Sequence, residues 1–138
     1  MSDVRTALDL RLVLGADHTV TVPATLAYQP SDPFAVSAIF HTSDGDVSWV
    51  FSRDLLEDGT TTAVGDGDVA IWPTMNAGET VICLSLSSPS GRAMLEANLS
   101  DVRRFIDATF AAVPMGSESS MIDLDSVLDR LLADRHSH

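Results

Sequence analysis

Lysine is absent from this 138-residue chain, and all eight of its basic residues are arginine. They are scattered from Arg5 to Arg135, with Arg103-Arg104 the one adjacent pair, against twenty acidic residues and a formal net charge of −12. Affinity for nucleic acid comes largely from Lys and Arg displacing counterions from phosphates. A chain this acidic, with no basic run, is disfavoured for phosphate backbones and for anionic lipid surfaces. The missing lysine itself reads as codon bias of a GC-rich genome, since no single site could demand it. Cysteine occurs once, at Cys83, which excludes an intrachain disulfide. In the run Val81-Ile82-Cys83-Leu84 it reads as a small buried hydrophobe. Apolar runs are short: Arg5, Asp9 and Arg11 interrupt the N-terminal stretch, and nothing approaches the roughly 20 residues of a membrane span. These absences lead us to expect a cytoplasmic protein. What remains is ordinary for a globular domain, with 45% hydrophobic residues.

The pattern predicts an α+β fold of about 6–7 antiparallel strands with C-terminal helices packed on them, as one domain over residues 1–135 with a frayed tail at 136–138. Val4, Thr6, Leu8, Leu10, Leu12 and Leu14 share one parity and the charges take the other, the period of a half-buried strand. Val20 to Tyr28 is the next strand, at an edge or starting after Pro23, which cannot donate to a ladder. Phe34 to His41 follows, with Phe34, Val36, Ala38 and Phe40 on one side. Ser43-Asp44-Gly45-Asp46 is a hairpin turn leading to a core face of Val47, Trp49 and Phe51. Arg53 to Asp58 reads as a short helix between Ser52 and Gly59, with Thr60–Thr62 extended after it. Val69 to Trp72 and Val81 to Leu86 are further strands joined by a loop from Pro73 to Gly78. Ala93, Met94 and Ala97 suggest a short helix. Leu99, Val102, Phe105, Ile106, Thr109, Phe110 and Val113 give the stripe of a longer one, ended by Pro114 and Gly116. Leu124, Val127, Leu128, Leu131 and Leu132 repeat that spacing behind Asp123.

Catalytic and metal motifs fail on inspection. Gly65-Asp66-Gly67-Asp68-Val69-Ala70 has the spacing of a dinucleotide fingerprint, but a strand follows it and two aspartates would repel the phosphates. Asp58, Asp66 and Asp68 lack calcium-loop spacing. His41 has no nearby zinc-ligand partner, and a pairing of His41 with Cys83 is left to the fold to decide. Ser88-Pro89-Ser90-Gly91 is no nucleophile elbow and reads as a helix start. No catalytic residue, cofactor or metal ligand is predicted. Trp49 belongs to the core parity, whereas Trp72 is out of phase with Val69 and Ile71. It is either second-layer core or an outward anchor for a partner.

Several segments run in one order: Val22-Pro23-Ala24, Asp32-Pro33-Phe34-Ala35-Val36, Phe40-His41-Thr42, Trp49-Val50-Phe51, Arg53-Asp54-Leu55-Leu56, Gly67-Asp68-Val69, Trp72-Pro73, Leu86-Ser87-Ser88-Pro89 and Val113-Pro114. In that order and spacing the chain resembles the SsgA-like family of actinobacterial sporulation and cell-division proteins, most closely its SsgB branch. The resemblance implies a Whirly-like fold, homo-oligomers, which we expect to be trimers, and no enzymatic activity. It implies a place at division septa, where the partners are the tubulin-like GTPase FtsZ and an SsgA-like paralogue. Trp72 and Arg53 are the candidate partner-binding residues. The alternatives are a single-stranded nucleic-acid-binding module, which the −12 charge opposes, or a small-ligand-binding protein.

Overall fold

The structure is a computed structural model and is described for residues 3–121. Eight antiparallel strands form one sheet in the order β4-β3-β2-β1-β8-β7-β6-β5. The chain builds it as two four-stranded meanders, each followed by a helix. The first comprises β1 (Val4–Gly15), β2 (His18–Tyr28), β3 (Ala35–Thr42) and β4 (Gly45–Ser52), then α1 (Arg53–Asp58). The second comprises β5 (Val64–Asp66), β6 (Val69–Asn76), β7 (Glu79–Ser88) and β8 (Gly91–Asn98), then α2 (Leu99–Ala112) and a last turn, α3 (Glu118–Met121). The meanders meet where β1 pairs with β8 at Arg11↔Glu96 and Leu12↔Leu95. The sheet curls around α2, whose buried residues Val102, Phe105, Ile106 and Thr109 press on the concave face. Leu8, Leu10, Leu26, Ala38, Phe51, Ile71, Ile82, Leu95 and Ala97 meet them there.

The parity predicted for the first strand holds: Leu8 and Leu10 are buried, and Arg5 and Asp9 face solvent. Two prolines sit inside strands without breaking them. β3 pairs with β2 only from Ala24 to Ala27, so Pro23 lies just past the end of the paired stretch. β5 pairs with β6 only as far as Ile71, so Pro73 also lies past its neighbour's end. A missing N–H is harmless where no strand waits for it.

Among the described residues the strand count is eight rather than 6–7, because two segments not read as strands in sequence are extended: Gly65-Asp66, read as part of a turn, lies on β5 and pairs with β6, and the segment from Gly91 to Asn98 is β8. Ala93, Met94 and Ala97 lie on β8 and not on a helix. Leu95 and Ala97 point to the core and Met94 outward, a period of two that the small alanines obscured. Ser88 and Gly91 close the β7–β8 hairpin, so Pro89-Ser90 is its turn. β6 continues through Pro73 to Asn76, and its connection shrinks to Ala77-Gly78, with φ of 53° and 82°. That is the left-handed pair that a tight hairpin demands, one position being filled by an alanine. Thr60, Thr61 and Thr62 are not extended: their N–H groups bond back to Glu57 and Asp58 and close α1. Phe34 precedes β3 and is 48% exposed, and Val47 on β4 is equally exposed, so neither belongs to the core. The predicted helix at 123–135 and the tail at 136–138 lie outside the described residues.

Candidate interaction surfaces

Arg53 was expected to offer its charge to a partner. Instead it is 1% exposed and holds the C-terminal end of α2. Ser52 accepts a hydrogen bond from the Leu55 N–H at 2.9 Å, starting α1 and directing Arg53 inward. Nη1 donates to the carbonyls of Val113 at 2.7 Å and Thr109 at 3.1 Å. Nη2 donates to Glu118 Oε2 at 3.0 Å. The guanidinium carbon lies 4.0 Å from the centroid of the Phe110 ring and 5.1 Å from that of Tyr28. A cation placed on the last carbonyls of a helix satisfies orphan acceptors and complements the helix dipole. Glu118 is held below the ordinary carboxylate range, first by its own main-chain N–H and then by Arg53 and the Gly116 N–H, which outweigh burial. Burial pushes the Tyr28 phenol up, with Arg53 opposing. Its hydroxyl donates to the Pro33 carbonyl at 2.9 Å.

Trp72 points outward, as its phase predicts. It stands on the convex face, half-buried, with Cys83 as its cross-strand neighbour and Glu96 beyond. β5 has ended before this point, so β6 from Trp72 onward presents an unpaired edge. A depression of about 260 Å³ lies beside the ring, lined by Asp68, Ala70, Ser85, Ser87 and Arg92. An aromatic ring, an open strand edge and a shallow mixed-polarity hollow together suit a protein partner. Cys83 is buried, and burial followed by Glu96 pushes its thiol up, which favours the protonated form.

The fold answers the question of His41 and Cys83. They stand on β3 and β7, four strand spacings apart in the sheet, and do not form a dyad. What His41 does meet was missed in sequence. Its Nδ1 is 2.9 Å from Asp46 Oδ1 and its Nε2 is 2.9 Å from Thr25 Oγ1. The signal lay in the hairpin: a two-residue loop at Ser43-Asp44 puts His41 opposite Asp46. An imidazole oriented by a carboxylate and bonded to a hydroxyl has the layout of nucleophilic hydroxyl catalysis. Here it lies open on the convex face, where β2, β3 and β4 bond one another and occupy the main-chain donors an oxyanion needs. The trio ties three strands together. Among the described residues, no cluster of His, Cys, Asp and Glu is arranged to hold a metal ion. No helix among them is long and apolar enough to cross a membrane.

Four of the six arginines among the described residues are engaged internally. Arg11 faces Glu96 at 3.7 Å, Arg103 bridges Glu57 and Asp107, and Arg104 meets Asp101 at 2.9 Å. With Arg53 held by Glu118, these four cations are shared out among carboxylates rather than gathered in a groove. A polyanion site needs the opposite arrangement.

Comparison with known proteins agrees with this architecture. The family model described as "Streptomyces sporulation and cell division protein, SsgA" matches residues 22–118. The sporulation-specific cell division protein SsgB of Frankia casuarinae is 48% identical over 126 residues, covering 91% of this chain and 88% of that protein. Its namesake from Streptomyces coelicolor is 46% identical, covering 92% and 93%. A crystal structure of an SsgA-like sporulation-specific cell division protein from Thermobifida fusca superimposes with a TM-score of 0.85 at 35% identity, covering 94% of this chain and 95% of that one.

Proposed function

From the premise that the chain belongs to the SsgA family of sporulation and cell-division proteins, we propose that it is a non-enzymatic adaptor that positions the division GTPase FtsZ at septum sites. It does so as a homo-oligomer alongside an SsgA-like paralogue. The relatives named as sporulation-specific cell division proteins support the septal role. The observation that carries the mode of action is Trp72, an outward aromatic at the open edge of β6 in a chain of net charge −12. FtsZ-type proteins are themselves acidic as a class. Long-range attraction between two acidic proteins is absent, so the contact must rest on apolar fit and strand-edge hydrogen bonds.

This mode has a testable signature. Contacts of that kind are weakly screened, whereas surface ion pairs fade beyond a Debye length of about 8 Å at physiological salt. The purified protein is expected to co-sediment with polymerising FtsZ at both low and high ionic strength. Loss of the complex on modest addition of salt contradicts the apolar contact. Absence of co-sedimentation at either ionic strength contradicts direct recruitment and moves the septal role to a third protein.

A further inference from the structure

Both meanders make their hairpin turns at one end of the sheet and hand the chain to a helix at the other. The β1–β2, β3–β4, β5–β6 and β7–β8 turns lie together, while β4 and β8 run away from them into α1 and α2. α2 therefore covers the concave face from the far end. Near the turns, among the described residues, that face is bare. Leu12, Val22, Phe40, Trp49, Leu86 and Leu95 line a trough of about 400 Å³ on it. Val20, opposite Leu12, and Val47, opposite Phe40, extend the apolar surface and are 43% and 48% exposed. An exposed apolar patch on a sheet face marks a docking place.

The rim of the trough selects its occupant. Three of the four turns at this end carry an exposed aspartate: Asp17, Asp44 and Asp68. Asp66 adds a fourth carboxylate on the concave side, since it pairs with Val69, and Val69 pairs with the trough residue Leu86. Arg92, beside the remaining turn, follows the convex parity of β8 and lines the hollow at Trp72. We propose that the trough docks an amphipathic helix of a partner protein whose apolar stripe is flanked by lysine or arginine. A strand adds at a sheet edge through main-chain bonds, whereas a face meets side chains and takes a helix, as this face takes α2. The acidic rim disfavours two other occupants. A second copy would bring the same aspartates, and among its described arginines only Arg5 and Arg92 are outside ion pairs. The chain beyond Met121 carries Asp123, Asp125, Asp129 and Asp134 against Arg130 and Arg135, so its own charge is also negative. The trough lies on the face opposite Trp72, and the proposal stands whether or not FtsZ meets that residue.

Trp49 reports on the trough, and in the full-length chain carrying Trp72→Phe it is the sole tryptophan. The probe is a tryptophan-free synthetic peptide of roughly 18 residues, five helical turns, with a leucine stripe flanked by lysine. One control peptide replaces the lysines by glutamate, and another scrambles the order so that no stripe remains. Titration with the lysine peptide is expected to move Trp49 emission to the blue, with an affinity about tenfold or more above that of either control. Asp17→Asn combined with Asp44→Asn and Asp68→Asn is expected to weaken that affinity about tenfold, and so is added salt, which screens exposed charges. These three positions lie in exposed turns, so the fold is not at stake. Equal affinity for the lysine peptide and either control, a complex indifferent to salt, or binding that leaves Trp49 unchanged overturns the proposal. Failure of the lysine peptide to bind overturns it as well. If Val47→Asp then splits an oligomer into single chains by sedimentation, the trough belongs to a second copy.

Discussion

The two ends of the concave face are built from the same strands and differ in what closes them. At the end where α2 terminates, one buried arginine joins β4, α2 and α3. It does so with hydrogen bonds to Val113, Thr109 and Glu118 and with two aromatic rings. At the other end the apolar residues of β1, β2 and β4 run on into an open trough. An apolar lining does not by itself make a closed core. The locked end is held by directional hydrogen bonds from Arg53, whereas the open end offers apolar surface and little that is directional.

The locked end depends most on Arg53. Arg53→Met removes the donor from two helix carbonyls and leaves Glu118 without its cation. Deleting one member of a buried pair costs about 3–5 kcal/mol. A fall in melting temperature of roughly 10 °C or more is therefore expected by calorimetry. Next comes Gly59, the C-cap of α1, where an added Cβ would stand 2.3 Å from Ile71 Cγ2. Gly59→Ala is expected to cost about 1–3 kcal/mol through overpacking, measured by urea denaturation. Acidification probes the same end more gently. The folded-state pKa of Glu118 is lowered, so its contribution is full above the ordinary carboxylate range and disappears as pH falls through the folded value. Melting temperature followed against pH should drop on the acid side, and Glu118→Gln should flatten that limb. Trp72→Ala, away from both ends, is expected to change stability least of these four. It should weaken partner binding by tenfold or more, which separates the surface from the scaffold.

Much of the scaffold was legible in sequence, for reasons that individual residues make plain. The alternation from Val4 to Leu14 and the stripe from Leu99 to Val113 each bury one face against one partner, so period alone identified them. β8 was lost because Ala93 and Ala97 are small enough to fit either a strand or a helix, and hairpin pairing with β7 decided it. β6 was cut short at Pro73 because whether a proline is tolerated depends on where the neighbouring strand stops. The candidate contacts divide the same way. Trp72 was readable as pointing away from Val69 and Ile71, because strand phase is local, but whether another layer covered it was not. Arg53 was not readable as buried, because its partners Thr109, Val113 and Glu118 lie 56 to 65 residues further on.

The proposed function requires this family member to reach its partner through an apolar surface around Trp72 and not through charge. The most direct measurement is the affinity of Trp72→Ala for FtsZ filaments beside that of the unaltered protein, at low and at high salt, with melting curves of both. The expected result is a weakening of at least tenfold that is similar at the two salt concentrations, with the melting temperature nearly unchanged. Equal affinity of the two proteins, or a wild-type affinity that collapses in high salt, contradicts it.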